Sequence, residues 1–599
     1  MVDRDSVSTI PAHFIFLGSV LQCAINRGWG GLSVSNQRSM SIKKSINKLV
    51  STILSLKREF AVYILFVVPA LFFLAVIVAK PTATLSSNSQ PVLVHSVDST
   101  GTQDSLSLDV WGNYAFTGNA AGKFYVLDHA TTTGSGVHAS LNIEAPVKDV
   151  IVTRDYAYLA TGKDSGELIV VDTRQRDNPT IVGSYNAFGS ASGLSLAVSN
   201  NRLYLGTANN SGANGKEFLV LDISNPESPG LVGSFEVGAQ VKSIAIDNNK
   251  AYIVTSNTTA ELRMLDISNP LAISLIATYN LPGNGIANAI THKNGFLYVV
   301  SNNGGSPQPD FFEFSTDNNF FTLVSSADLA SDNNDIVVRA GRAFIATQTV
   351  GKQLTILDVS NPMSPVLFST YNAGGASNKI KMNGPHIYLA TGNNTQELQV
   401  VNPLVPLRIL DINNDGIIRI GCLGDSNTFN WSRARWCDFL VQQIAVQTPV
   451  GNNSPAFTGA TVTHNPKGGL WDAYGQMPMV LAAGVDVIIL PFGTNDINLF
   501  HRTPEEIVAA YSENKATAEA AGFPVFIALT PPLQDGILGI PQPEREATNN
   551  LIKQTFPSEY IIDFSSTMIP EDYGDLVHMN NYGQFERARK AYERFLYSD

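Results

Sequence analysis

Cysteine is nearly absent, with three in 599 residues. That excludes a disulfide-built scaffold, and no CxxC pair exists to seed a zinc site. Charge is scarce at 15% of residues and sums to −12. Without a basic excess to hold a phosphate backbone, nucleic acid is excluded as a main partner. The 47 glycines and 30 prolines are average usage, which excludes collagen-like and low-complexity chains. Apolar residues make up 44% of the chain, too many for wholesale disorder. The chain is too long for one core, so domain boundaries are expected.

Only one stretch is apolar for long enough to suggest a membrane span. Residues 61–79 read AVYILFVVPALFFLAVIVA, without a charge. At a rise of about 1.5 Å per residue such a helix nearly spans a hydrocarbon core of about 30 Å. Pro69 would kink it but is tolerated in a membrane. Lys43, Lys44, Lys48, Lys57 and Arg58 precede the stretch, and only Lys80 follows closely. The positive-inside rule then makes 1–59 a cytoplasmic segment, 60–80 a transmembrane signal-anchor helix, and the rest extracytoplasmic. A cleaved signal peptide is the rival, although its apolar region is usually about 7–15 residues. Whether Met1 or Met40 starts the chain is open, and Cys23 carries no assigned role.

Residues 90–403 repeat one unit. Its marker is an apolar strand ending in Asp, followed by a Ser-Asn-Pro turn, as in FLVLDISNPESPGLVGSF, LRMLDISNPLAISLIATY and LTILDVSNPMSPVLFSTY. With looser copies included, the markers fall at 128, 172, 222, 266, 315, 358 and 402, spaced by 43 to 50 residues. That is the length of a four-stranded propeller blade, and seven copies suit a closed ring. Other short strands, such as AYLATG, LYLGTA and AYIVTS, precede the markers. The marker Asp suits an Asx turn, and Pro fixes φ while donating nothing. The seventh repeat stops after its third strand, so PVLVHSVDS at 91–99 is expected to complete that blade and close the ring. These units resemble the LVIVD-type repeats of extracytoplasmic bacterial β-propellers. The resemblance implies a fold and a surface location but no reaction. A rigid platform and a face that binds a glycan or protein ligand both remain open.

Residues 404–416 read as a linker. Asp411, Asn413, Asp415 and Gly416 match the start of a calcium-binding loop, but Cys422 stands where its twelfth ligand belongs. A tight Asn-Asp-Gly turn accounts for the residues.

From 417 to 599 the pattern changes. IIRIGCL, VDVIILP, PVFIALT and YIIDF are continuous apolar runs of buried parallel strands. Helical stretches alternate with them, one starting at a capping box with Thr503, Pro504 and Glu506. The expectation is a three-layer α/β domain of flavodoxin-like form, its site beyond the carboxyl ends of the strands. Those ends hold Gly424-Asp425-Ser426-Asn427, then Asn465-Pro466-Lys467-Gly468-Gly469, then Gly493-Thr494-Asn495-Asp496, and last Asp575-Leu576-Val577-His578. Each is common alone, but together and in this order they are specific.

The four blocks resemble those of the SGNH hydrolase (GDSL-like esterase) superfamily. The resemblance implies Ser426 as nucleophile, His578 as base and Asp575 as its orienting partner. It implies an oxyanion hole from the Ser426 N–H, the Gly469 N–H and the Asn495 side chain. The second block is shortened, so Gly468 competes with Gly469. Asn427 replaces the commoner Leu or Ile. The chemistry agrees: a serine hydroxyl needs an imidazole to take its proton, and the oxyanion needs donors fixed in advance. No cofactor or metal is called for. Asp425, Asp496 and Asp563 read as structural, His464 and His501 as surface residues. A Cys422–Cys437 disulfide is the alternative in an oxidising compartment, but a central strand and the following helix are usually too far apart for one, so two buried free thiols are expected.

Two functions stay open. One is a membrane-anchored extracytoplasmic ester hydrolase working through an acyl-serine intermediate, with acylated carbohydrate as first substrate and Trp431, Trp471 and Tyr474 near the site. The other is a surface binding or adhesion protein whose propeller docks a partner and whose hydrolase domain is vestigial.

Overall fold

Short β-branched and aromatic runs broken by Asn, Gly and Pro favour antiparallel hairpins. The computed structural model turns the repeat into seven four-stranded sheets. It describes residues 90–596 apart from 100–102, 130–135, 190, 210–214, 306, 317–318, 404–410, 413–415, 430–434, 446–449, 454–455, 457–459, 533–541 and 566–578. The apolar run 61–79, Cys23, Met40, Trp431, Asp575 and His578 therefore lie outside the described residues.

Each blade's first strand packs on the next blade's first strand, and the seventh packs on the first, so the sheets form a seven-bladed β-propeller. The marker strand is the third of each blade. Its aspartates make the expected Asx turns: Asp172, Asp222, Asp266 and Asp358 each accept from the N–H two residues on, at 2.8–3.0 Å. The seventh blade is completed by Val92–Val97, antiparallel to Leu398–Asn402, with Val92 opposite Asn402 and Val97 opposite Leu398.

Polar side chains latch blade to blade. Asp109, Asp149 and Asp335 on first strands accept from Val152, Leu196 and Ile380 of a following blade at 2.8, 2.9 and 3.1 Å. Asn288, Asn334 and Asn378 donate to Asn333, Ser377 and Ser105 carbonyls, all at 2.8 Å. A second latch recurs just before the marker strand. Glu167, Glu217, Glu261, Asp310, Gln353 and Glu397 are all buried there, and each accepts a backbone N–H from the loop that leaves its blade. An isolated buried carboxylate is costly, so the N–H groups offset its desolvation.

Beyond the ring, five parallel strands lie in the order Val450–Asn453, Ile418–Cys422, Val487–Leu490, Val525–Ala528, Ile561–Ile562. Helices Trp436–Ile444 and Asn581–Leu596 cover one face of the sheet. Ala473–Ala482, Pro504–Ala520 and Gln542–Thr555 cover the other. This is the three-layer arrangement, and Thr503 with Glu506 forms the expected capping box. Gly416 is left-handed at φ 85 and its N–H donates to Asp411 at 2.7 Å, while the rest of the expected Asn-Asp-Gly turn lies outside the described residues.

One expectation is overturned. Cys422 and Cys437 are joined as a disulfide, not held as free thiols. Cys437 is the second residue of a helix laid directly on the strand, so the two Cα atoms approach to 6.6 Å, within disulfide reach.

The ring and the α/β domain share one continuous apolar cluster, from Phe344, Ile387 and Val401 to Ile420, Trp436 and Phe595. The C-terminal helix Asn581–Leu596 carries the polar part of that contact. Arg589 reaches Asn383, Glu593 reaches Arg339, and the Tyr592 hydroxyl accepts from Asn402 at 3.2 Å.

Candidate active site

Strand order reverses around Ile418–Cys422, whose two neighbours are the second and third strands in sequence. A crevice forms at such a switch point, beyond the carboxyl ends of the strands. The loops after Ile418–Cys422 and Val487–Leu490 flank it, and they hold Ser426 and Asn495.

Ser426 is the first residue of the short helix Ser426–Phe429 and is part-exposed, while Asp425, Asn427 and Thr428 around it are buried. The turn depends on Gly424, with φ 149, where an added Cβ would lie 2.3 Å from the Thr428 hydroxyl. Asp425 is structural, accepting from the Asn427 N–H at 2.9 Å. Gly493 plays the matching part on the neighbouring strand, with φ 108 and the Thr530 hydroxyl 2.3 Å from where a Cβ would stand.

Asn495 starts the second turn of the site. Its side-chain amide donates to the Ala460 carbonyl at 2.9 Å, which fixes its plane. Asp496 next to it is fully buried and accepts from the Val462 N–H, the Thr463 N–H and the Thr463 hydroxyl at 2.9, 3.0 and 2.7 Å. Burial pushes its carboxyl above the usual range, and these donors pull it back. Asp496 thus ties the Asn495 loop to the segment leading into the glycine block.

In that block Asn465 is buried and accepts from the Lys467 N–H at 3.0 Å. Gly468 and Gly469 both sit at left-handed φ, 62 and 60, with open space where a Cβ would be. The fold therefore needs both glycines and leaves the choice between their N–H groups open. The turn is held to the serine turn by Gln476, which sequence reasoning missed. Its oxygen accepts from the Gly424 N–H at 2.9 Å, and its nitrogen donates to the carbonyls of Gly424 and Leu470 at 3.0 Å each. Its place in a helix that follows the glycine block, one residue after Gly475, was the only signal available.

Lys467 lies 3.9 Å over the Trp471 ring. Tyr474 stacks on exposed His464 at 3.9 Å and donates to Glu513 at 2.5 Å, so it is held away from a free role. His501 is exposed, and Asp563 accepts from Ser565. Among the described residues no His/Cys/Asp/Glu group is arranged to hold a metal. Gln476 thus ties the turn that carries Ser426 to the Gly468–Gly469 turn, and Asp496 ties the Asn495 loop to the segment before that turn, while Asp575 and His578 lie outside the described residues.

Residues 422–584 match the GDSL-like Lipase/Acylhydrolase family. Four LVIVD repeats precede them, at 146–187, 189–237, 238–281 and 330–373, covering blades two, three, four and six. No curated protein matches the chain. Among solved structures it is similar to the computationally designed Ika8 protein, at 12% identity and TM-score 0.38, covering 52% of this chain and 99% of that one. It is also similar to the β-propeller domain of Cps50 (Swd1) from Myceliophteria thermophila, at 12% identity and TM-score 0.39, with the same two coverages of 52% and 99%. BamB from Moraxella catarrhalis matches at 12% identity and TM-score 0.35, covering 49% of this chain and 80% of that one.

Proposed function

We propose that this protein is a carboxylic ester hydrolase, anchored in a membrane by residues 60–80, with both folded domains outside the cytoplasm. The observation that supports the reading is the pair of ties that hold the three loops: Gln476 joins the Ser426 turn to the Gly468–Gly469 turn, and Asp496 joins the Asn495 loop to the segment before that glycine turn. In the proposed mechanism His578 takes the Ser426 proton as the hydroxyl attacks the ester carbonyl. Asp575 accepts from the imidazole Nδ1–H and holds the tautomer with Nε2 facing Ser426. The oxyanion is met by the N–H of Ser426, a glycine N–H of the second block, and an amide N–H of Asn495. The Asn495 nitrogen carries two hydrogens and spends one on Ala460. Collapse of the tetrahedral intermediate expels the alcohol, protonated by His578, and leaves an acyl-serine. Water, deprotonated by the same histidine, then releases the acid.

Short acyl groups on carbohydrate, acetyl first, are the proposed substrates, with Trp471 beside the glycine turn as a surface for a sugar ring. The disulfide Cys422–Cys437 supports an oxidising compartment, in keeping with a basic segment before the apolar run. The test is a panel of nitrophenyl esters and acetylated glycans, alongside protease treatment of cells with an opened outer envelope. Turnover of esters and loss of both domains to the protease are expected. Inertness toward every ester, or full protection of both domains, would overturn the corresponding half of the reading.

A further inference from the structure

The C-terminal helix Asn581–Leu596 is gripped at both ends by different parts of the molecule. Its first turns hold the serine turn. Gln584 donates to the Asn427 carbonyl at 2.9 Å and accepts from the Trp436 N–H at 3.1 Å, and Arg587 reaches the same Asn427 carbonyl at 3.4 Å. Arg587 also stacks over the Phe564 ring at 4.5 Å. Asn427 directly follows Ser426, and the helix starts three residues after His578.

The later turns are held by the propeller. Arg589 is fully buried and pairs with Glu586 on its own helix, one bond being 2.8 Å. Its remaining nitrogen donates to the Asn383 side-chain oxygen. Asn383 is itself fixed, since its nitrogen donates to the Gly112 carbonyl of the first blade at 3.0 Å. The next residue, Gly384, has φ 61, and a Cβ there would lie 2.3 Å from Arg589. Arg339 reaches both Glu593 and the Gly384 carbonyl, the latter at 3.3 Å. The ring thus contacts the helix through blades six and seven, with blade one bracing Asn383.

We propose that the propeller positions the nucleophile turn through this helix, with Asn383 and Arg589 as positioning residues. The propeller is then a working part of the hydrolase and not a spacer. Sliding or tilting the helix moves the carbonyl of Asn427 and the backbone that carries Ser426. Misplacement of a reacting group by about 1 Å can cost about 10²-fold in rate. The inference rests on the reading of Ser426 as nucleophile, and its test separates the two.

The full chain is treated with a fluorophosphonate that modifies activated serines. Two quantities are read: the fraction of chains labelled, and the labelling rate constant per labelled chain. A residue that only stabilises the fold changes the fraction, whereas a positioning residue changes the rate constant. Asn383→Ala is expected to slow labelling at least tenfold with the fraction unchanged. Asn383→Asp, which keeps an acceptor for Arg589 but loses the donor to Gly112, is expected to restore part of the rate. Asn288→Ala, which cuts a latch between the fifth and sixth blades, is expected to leave the rate constant as it is. If Asn383→Ala does not fold, Asn402→Leu, which removes the bond to Tyr592, is measured against the same expectation of a tenfold loss. A wild-type rate constant in the folded variant overturns the proposal, as does a loss in the labelled fraction alone. Absence of labelling at Ser426 in the wild-type chain instead overturns the nucleophile reading.

Discussion

Glu397 accepts a hydrogen bond from the Ser99 N–H at 3.0 Å across 298 residues of chain. In the second blade the same contact joins Glu167 and Ala187 across 20 residues, and in the fourth it joins Glu261 and Leu281 across 20. Ser99 thus stands where a loop residue would stand if the seventh repeat were continuous. The start of the propeller closes its end with the bond that holds each blade to its exit loop.

Glu397→Ala is expected to lower the melting midpoint by roughly 2–6 °C, since a stranded buried N–H costs about 1–3 kcal/mol. Deletion of 85–100 is expected to do much more, because it bares the edge of Leu398–Asn402. Differential scanning calorimetry of the two variants checks both. An unchanged transition after the deletion would show that the ring closes without this strand.

Reduction of Cys422–Cys437 is expected to destabilise the α/β domain by about 3 kcal/mol, the loop-entropy value for a closed loop of this size, the two residues being separated by 15. Urea titrations with and without reductant measure it. Alkylation of unfolded, unreduced protein should modify neither cysteine.

The polar cluster beneath the domain contact predicts a pH dependence. Burial, and then the Arg589 charge, lower His386 to about 3, and burial drives His129 well below its ordinary value. Both are neutral when folded, whereas unfolded imidazoles take a proton near about 6.5. The unfolded chain then binds more protons, so the stability held above pH ~6.5 falls as pH drops toward the folded values. Melting midpoints between pH 7 and 4 should decline less steeply for His386→Gln than for wild type.

Much of this architecture was legible in the sequence. The three Ser-Asn-Pro markers and their four looser copies located all seven third strands, because a turn must follow each strand wherever the ring places it. Even the degenerate copies at Ser315 and Asn402 end strands as expected. The disulfide was not legible, because sequence spacing does not tell which turn of a helix lies over a strand. Nor was the recurring acid at 167, 217, 261 and 397, whose meaning depends on loops about twenty residues away. Gln476 and Arg589 were invisible for the same reason: each acts across a gap that only the fold closes.

Asp496→Ala is expected to strand the N–H groups of Val462 and Thr463 and to loosen the Asn495 loop from the glycine block. Stability should fall by about 1–3 kcal/mol for each donor left buried, and turnover should fall further than the Michaelis constant rises. Steady-state kinetics beside a urea titration separate the two effects. Wild-type turnover in a destabilised variant would show that the loop keeps its place without Asp496.

Ester hydrolysis depends on Ser426 in the proposed mechanism, and it is measured with the purified full chain and with Ser426→Ala, the acyl intermediate being followed by mass spectrometry. The variant loses one part-exposed hydroxyl and keeps the backbone of the turn, so it should still fold and melt cooperatively. A single acyl adduct on the peptide that carries Ser426 is expected in wild type, and no adduct and only background hydrolysis in the variant. Hydrolysis at the wild-type rate by Ser426→Ala would contradict this mechanism.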